Sequence, residues 1–178
     1  MHIIETNISG AYLIEGEPHR DERGSFCRLY CKQEYQQAGI DFDPVQMNIS
    51  TNLKAGTLRG MHYKLGEYGE QKVVRVVKGS VLDVIVDVRP NSPTYLMNVS
   101  VELTAENMTS LYVPKGCAHG FLTLKDDTDV LYQMGCFHEA GNEAGLRWDD
   151  PALSIKWPHP PLFINERDAS YPLLDVSK

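Results

Sequence analysis

Long apolar runs are missing from this 178-residue chain, and so is any cluster of lysine and arginine. The first absence leaves no stretch of membrane-spanning length. The second, with a net charge of -7, argues against binding along a nucleic-acid backbone. A small anionic ligand stays compatible, because a few local cations can hold a diphosphate inside an acidic protein. The four cysteines, Cys27, Cys31, Cys117 and Cys136, lack the repeated paired spacing of a zinc site. The opening residues, Met1-His2-Ile3-Ile4-Glu5-Thr6, lack the basic and apolar regions of a signal peptide. Free thiols in the cytoplasm are therefore the expectation. There is no Gly-x-Ser-x-Gly elbow, glycine-rich phosphate loop, internal repeat or low-complexity linker.

What is present is the composition of a soluble globular protein, 42% hydrophobic and 23% charged. The length suits one domain spanning residues 1–178, with a sizeable core. Fourteen glycines and ten prolines break it into short elements. One segment reads as helix, residues 32–38, where good helix formers are followed by Gly39 as a stop. The stretch Thr104-Ala105-Glu106-Asn107 reads as a turn. Residues 73–77, 81–89, 97–103, 110–113, 121–124 and 130–136 are the clearest strands. Trp157-Pro158-His159-Pro160-Pro161 is too proline-rich for regular structure. Many short strands at close intervals imply an all-β sandwich, jelly roll or barrel.

The strand beginning at Val81 has one wholly apolar face, Leu82, Val84, Val86 and Val88. The other mixes Val81 and Ile85 with Asp83 and Asp87, and either lines a cavity or faces solvent. The Lys78-Gly79 turn reads as linking this strand to the preceding one in a hairpin. A two-residue loop would put Lys72 on the face of Asp83 and Ile85, and a three-residue loop would reverse this.

Three segments offer chemistry. Leu58-Arg59-Gly60-Met61-His62-Tyr63, with Lys72 beyond it, supplies a base suited to neutral pH and a cation. Val113-Pro114-Lys115-Gly116-Cys117-Ala118-His119-Gly120-Phe121 and Asp129-Val130-Leu131-Tyr132 add another histidine and a phenol. Together they suggest proton abstraction next to a carbonyl rather than metal chemistry or nucleophilic attack. Each residue also has a plainer reading. His62 could be an ordinary histidine at a strand end, and His119 a core histidine bonded to backbone. Lys72 could snorkel from its strand end, Tyr132 could be core, and Arg23 and Arg59 could be unrelated surface charges. His62 has no second histidine two positions away, so no metal site is expected.

Further landmarks appear in order along the chain: Asp21-Glu22-Arg23-Gly24-Ser25-Phe26, Gln46-Met47-Asn48-Ile49-Ser50, Gln71-Lys72-Val73-Val74-Arg75-Val76, Leu82-Asp83-Val84, Trp148-Asp149-Asp150-Pro151 and Asp168. With the segments above, these resemble the dTDP-4-dehydrorhamnose 3,5-epimerase family, a branch of the cupin jelly rolls, along nearly the whole chain. The resemblance implies a cupin-type jelly roll with one or two short helices, no metal or organic cofactor, and a homodimer. It implies His62 as general base with Asp168 as its orienting carboxylate, Lys72 steadying negative charge on the sugar carbonyl oxygen, and Tyr132 returning a proton from the opposite face. His119 and Asp83 would shape the pocket. Arg23 and Arg59 would contact the diphosphate, and Phe26, Gln46 and Asn48 would help hold the substrate, a nucleotide-diphosphate sugar.

The chemistry implied is coherent. A C4 carbonyl acidifies the hydrogens at C3 and C5 because the carbanion is delocalised as an enolate. Inversion then needs a base on one face, an acid on the other and a cation near the oxygen. Three positions depart from the family pattern: Arg28 where glutamate is usual, His138 where an aromatic packs near the nucleobase, and Ile164-Asn165 where Leu-Ser is usual. These departures lie where the nucleotide would be read, so thymine is the first choice implied by the resemblance and another nucleoside diphosphate its rival, and Arg28 and His138 are candidate substrate-binding residues too. Alternatives are a single-centre epimerase on a CDP-, GDP- or UDP-linked 4-keto sugar, a cupin 3,4-ketoisomerase, and a non-catalytic sugar-nucleotide binding protein.

Overall fold

The computed structural model describes residues 1–66 and 69–174. Among them the chain forms thirteen strands, several of the longer ones rich in β-branched residues, and two short α-helices. Strands β1 (His2–Glu5), β2 (Tyr12–Glu15), β3 (His19–Asp21) and β4 (Gly24–Phe26) precede helix α1 (Lys32–Gln37). Then come β5 (Gln46–Asn52), β6 (Leu58–Lys64), β7 (Lys72–Lys78), β8 (Ser80–Asp87), β9 (Asn98–Thr104) and β10 (Thr109–Val113). The chain continues through β11 (Cys117–Thr123), β12 (Thr128–Met134), β13 (Glu143–Gly145) and α2 (Glu166–Ala169).

A six-stranded sheet in the order β1-β2-β10-β7-β12-β5 faces a five-stranded sheet in the order β13-β6-β11-β8-β9, and β3 and β4 form a separate hairpin. Neighbouring strands are antiparallel throughout. Between the sheets lie Val74, Val76, Leu111, Val113 and Val130 from one and Val81, Ile85, Leu103, Cys117 and Phe121 from the other. This burial of branched and aromatic side chains is the main favourable term holding the sheets together. It also resolves the strand beginning at Val81. Its mixed face, with Asp83 and Asp87 fully buried, points into the space between the sheets. Its apolar face packs outward against Met61, Leu146 and Leu153.

The hairpin expected at Lys78-Gly79 does not form. β7 pairs with β10 and β12, whereas β8 pairs with β9 and β11, so the chain crosses there from one sheet to the other. Gly79 takes a φ of +79°, and a Cβ would run into Thr128. Turn chemistry marks a reversal but not whether the next strand pairs or changes sheet. The strand expected at residues 121–124 starts four residues earlier, at Cys117.

Helix α1 forms where expected. The Ile40 N–H bonds the Tyr35 carbonyl and the Gly39 N–H bonds the Gln36 carbonyl, while Gly39 itself has a φ of +78°, which closes the helix. Tyr35 is its buried anchor, packing with Phe42, Val73 and Tyr112 on the outer face of the six-stranded sheet. The turn expected near 104–107 lies at residues 105–107, after β9 ends at Thr104, and 157–161 is irregular as expected.

Candidate active site

A cavity of about 350 Å³ opens between the two sheets, and strands from both reach it. β6 contributes Arg59 and His62, β11 contributes His119, β7 contributes Lys72, β12 contributes Tyr132 and β5 contributes Asn48. Arg59 and His62 are three residues apart, yet both line the cavity. The ladder between β6 and β11 shifts register between His119 and Phe121, and such an irregularity re-aims side chains. The two strands approach closely at that point. A Cβ on Gly60 would fall 2.9 Å from the His119 carbonyl oxygen, and Gly60 has a φ of +129° that side chains rarely adopt.

Asp168 arrives from α2. The Asn165 side chain caps this helix, its Oδ1 accepting from the Asp168 N–H at 2.7 Å. Asparagine thus performs the capping that serine can also perform, so this departure from the family pattern preserves the local structure. The fully buried Asp168 carboxylate accepts from the Gly60 N–H at 3.0 Å through Oδ2 and lies 2.8 Å from His62 Nε2 through Oδ1. Burial works against its ionisation. The bonds from His62 and Gly60 and the charge of Arg167 outweigh burial and hold its pKa below the usual carboxylate value. An ionised carboxylate can only accept, so His62 presents Nε2–H to it and keeps the Nδ1 lone pair free. The ring is 34% exposed, which leaves it within reach of a ligand.

A second histidine–carboxylate pair lies beside the first. His119 Nε2 is 3.0 Å from both oxygens of Asp83, and His119 is only 4% exposed. Burial pulls the His119 pKa down despite Asp83, and Lys72 and His62 add to the fall, which favours the neutral ring. Tyr132 stands edge-on to it, with ring centroids 6.0 Å apart. Burial and the nearby Asp83 charge push the Tyr132 phenol well above its ordinary value. It therefore holds a proton to give. Lys72 is buried rather than snorkelling, with Nζ 3.2 Å from Glu70 Oε1.

Of the other residues singled out, Asn48, Arg59 and His138 line the same cavity. Gln46 stands behind them, donating to Asn48 Oδ1 at 3.0 Å and accepting from the His138 N–H at 3.1 Å. Arg59 Nε bonds Asn52 Oδ1 at 2.8 Å. Arg23, Phe26 and Arg28 do not line it. Arg23 and Phe26 border a separate concavity on the β3–β4 hairpin, with Phe26 76% exposed, while Arg28 pairs with Glu34 at 2.5 Å. Sequence reasoning passed over Lys64, Glu70, Glu143 and Arg167, all of which line the cavity. Arg167 bonds Glu143 at 3.0 Å and sits 3.3 Å from His62 Nε2, a placement signalled only by its adjacency to Asp168. The arrangement is an imidazole backed by a carboxylate, a protonated phenol and an ammonium around one cavity.

A family model described as dTDP-4-dehydrorhamnose 3,5-epimerase matches residues 5–175. The chain belongs to this family. It is 39% identical over 175 residues to the dTDP-4-dehydrorhamnose 3,5-epimerase of Sinorhizobium fredii, a match covering 98% of this chain and 90% of that protein. The solved dTDP-4-dehydrorhamnose 3,5-epimerase of Bacillus anthracis, with TDP and pyrophosphate bound, matches with a TM-score of 0.93 at 38% identity, covering 97% of this chain and 99% of that one. A 3'-monoepimerase from Streptomyces bikiniensis, solved with dTDP-quinovose, matches with a TM-score of 0.88 at 33% identity, covering 96% and 86%. The expected jelly roll and the expected class, an isomerase of the epimerase type, both hold for this member of the dTDP-4-dehydrorhamnose 3,5-epimerase family.

Proposed function

We propose that this protein inverts C3 and C5 of dTDP-4-dehydro-6-deoxy-D-glucose by removing and returning protons next to the C4 carbonyl. The observation that carries the reading is the division of acid and base between facing sheets. His62, backed by Asp168, belongs to the five-stranded sheet, and the protonated Tyr132 belongs to the six-stranded one. A sugar ring between them meets a base on one face and a donor on the other. His62 Nδ1 takes the hydrogen from C3 or C5, and the electron pair moves onto the carbonyl oxygen. The Lys72 ammonium steadies that oxyanion, and Tyr132 protonates carbon from the opposite side. Substrate and product have the same oxidation state, so the reaction itself requires no redox cofactor.

The test is to incubate the protein with dTDP-4-dehydro-6-deoxy-D-glucose in deuterated water. Deuterium at both C3 and C5 with inversion supports the reading. Deuterium at one carbon gives a single-centre epimerase, like the Streptomyces relative, and none at either gives a binding protein.

We also propose a homodimer. Arg23 and Phe26 lie outside their own protomer's cavity, on an exposed hairpin, and β5, an edge strand, exposes Met47 and Ile49. A second copy placed against that edge would bury the apolar pair, and its hairpin would supply a cation for the diphosphate. Mixing inactive Arg23→Ala and His62→Ala proteins should then restore turnover in the mixed dimer. Four unpaired cysteines suit work in the cytoplasm.

A further inference from the structure

Lys64 ends β6 in one sheet and Lys72 begins β7 in the other, and both ammonium groups converge on the carboxylate of Glu70. Glu70 Oε1 lies 3.2 Å from Lys72 Nζ, and Oε2 lies 3.3 Å from Lys64 Nζ. The Cys136 thiol, just past β12, donates to Oε2 at 3.8 Å. The Lys64, Glu70 and Lys72 side chains are 8%, 15% and 10% exposed, and all three line the catalytic cavity. Burial opposes the charge on Glu70, but Lys72 and Lys64 outweigh it and hold the group ionised.

We propose that Glu70 is a positioning residue: it holds the Lys72 ammonium at the oxyanion position by bridging it to Lys64 across the two sheets. This rests on the reading of Lys72 as the cation that steadies the enolate. A lysine side chain turns about four bonds, and an ammonium that wanders by an ångström loses much of its effect on a developing charge. One Glu70 oxygen orients Lys72, while the other is tied down by Lys64 and Cys136, so the anchor itself is fixed. Two ammonium groups set against one carboxylate leave net positive charge for the oxyanion. The titratable groups around the cluster are Lys64 from β6, Lys72 from β7, His119 from β11, Tyr132 from β12 and Cys136 just past it, with Lys115 and Glu139 farther out.

The experiment follows deuterium exchange into dTDP-4-dehydro-6-deoxy-D-glucose at a series of pH values for the wild type, Glu70→Gln and the double variant Lys64→Gln with Glu70→Gln. Absence of exchange in the wild type would overturn the epimerase reading, whatever the variants do. With an active wild type, Glu70→Gln should lower kcat by about 10- to 100-fold while KM moves little. Its alkaline limb should shift down by about one pH unit, because burial disfavours the Lys64 ammonium and Glu70, which outweighs that burial, is gone, so Lys64 sheds its proton more readily. The double variant keeps the cluster's net charge, folds without two unbalanced cations, and serves even where Glu70→Gln does not fold. It should recover the alkaline limb but not kcat. Wild-type kcat in the double variant, or in a folded Glu70→Gln that still binds dTDP, would overturn the positioning role.

Discussion

His119 lies directly opposite His62 on neighbouring strands, yet each ring is bonded to a different carboxylate. His62 is the exposed member, bound to Asp168 through one oxygen. His119 is the buried one, straddling both oxygens of Asp83. The pair has the same chemistry in two solvent environments, and only one ring has the access a base needs.

Replacing the two rings should therefore separate their roles. His62→Asn should reduce deuterium exchange into the substrate by about 100- to 10,000-fold, the usual cost of losing a general base. His119→Asn should cost on the order of 10-fold, through misplacement rather than loss of the base. Exchange rates followed by mass spectrometry give both numbers, and wild-type exchange in His62→Asn would assign the base elsewhere.

Tyr132→Phe keeps the ring against His119 and removes the proposed proton donor. Deprotonation should proceed, so deuterium should still enter the recovered substrate, while net inversion falls by about 100-fold or more. Comparing wash-in with product formation by NMR distinguishes the two steps. Equal losses in both would show that the phenol acts before or during deprotonation.

The roles expected of Arg28 and His138 concern the nucleobase. His138 borders the cavity, whereas Arg28 is tied to Glu34 on the surface of its own protomer. A guanidinium donates and cannot accept, unlike the glutamate usual there, so it cannot receive a thymine N–H. Arg28→Glu should change the ratio of kcat/KM between dTDP- and UDP-linked substrates more than it changes kcat. An unchanged ratio would mean that Arg28 does not read the base.

Asp87 should dominate one part of the acid stability. Its buried carboxylate accepts from Arg89 Nε and Nη2 at 2.8 Å each, from Thr94 Oγ1 at 2.6 Å, and from Ser92. Burial works against the charge, but these donors outweigh it and hold the pKa well below the ordinary value. The unfolded group titrates near about 3.9. Its stabilisation is therefore fully present above that value and is lost as pH falls through the lower folded one. Asp87→Asn should cost roughly 2 to 4 kcal/mol at pH 7, somewhat below the range for fully buried pairs because Arg89 is partly solvated. Urea unfolding at pH 7, 5 and 3 should show the gap narrowing only at the lowest pH. A constant gap would mean that packing, not charge, is lost.

Local signals explain what was legible in the chain. Helix α1 needed only helix formers and Gly39, and β7, β8, β9, β10 and β12 stood out as β-rich runs between turn residues, whereas β1 to β6 and β13 did not. The partner of a strand is a different matter. Asp83 and Asp87 alternate with aliphatics whether the second face meets water or another sheet, and a Lys-Gly turn looks alike in a hairpin and in a sheet-to-sheet crossing. No spacing rule connects His62 with Asp168, and that pair came from family resemblance. Glu70 and Arg167 escaped notice because a charged side chain near a strand or helix end ordinarily faces solvent.

The distance along the chain between His62 and Asp168 has a consequence for synthesis. His62 emerges from the ribosome 106 residues ahead of its carboxylate, a delay of about 5 to 20 s at ordinary translation rates. β6 and most of the two sheets exist before α2 does, so a nascent barrel holds the imidazole without the group that orients it. On the proposed mechanism, activity then waits until α2 has been made. A fragment interrupted before Asn165 would carry nearly the whole fold and still lack the Asp168–His62 contact.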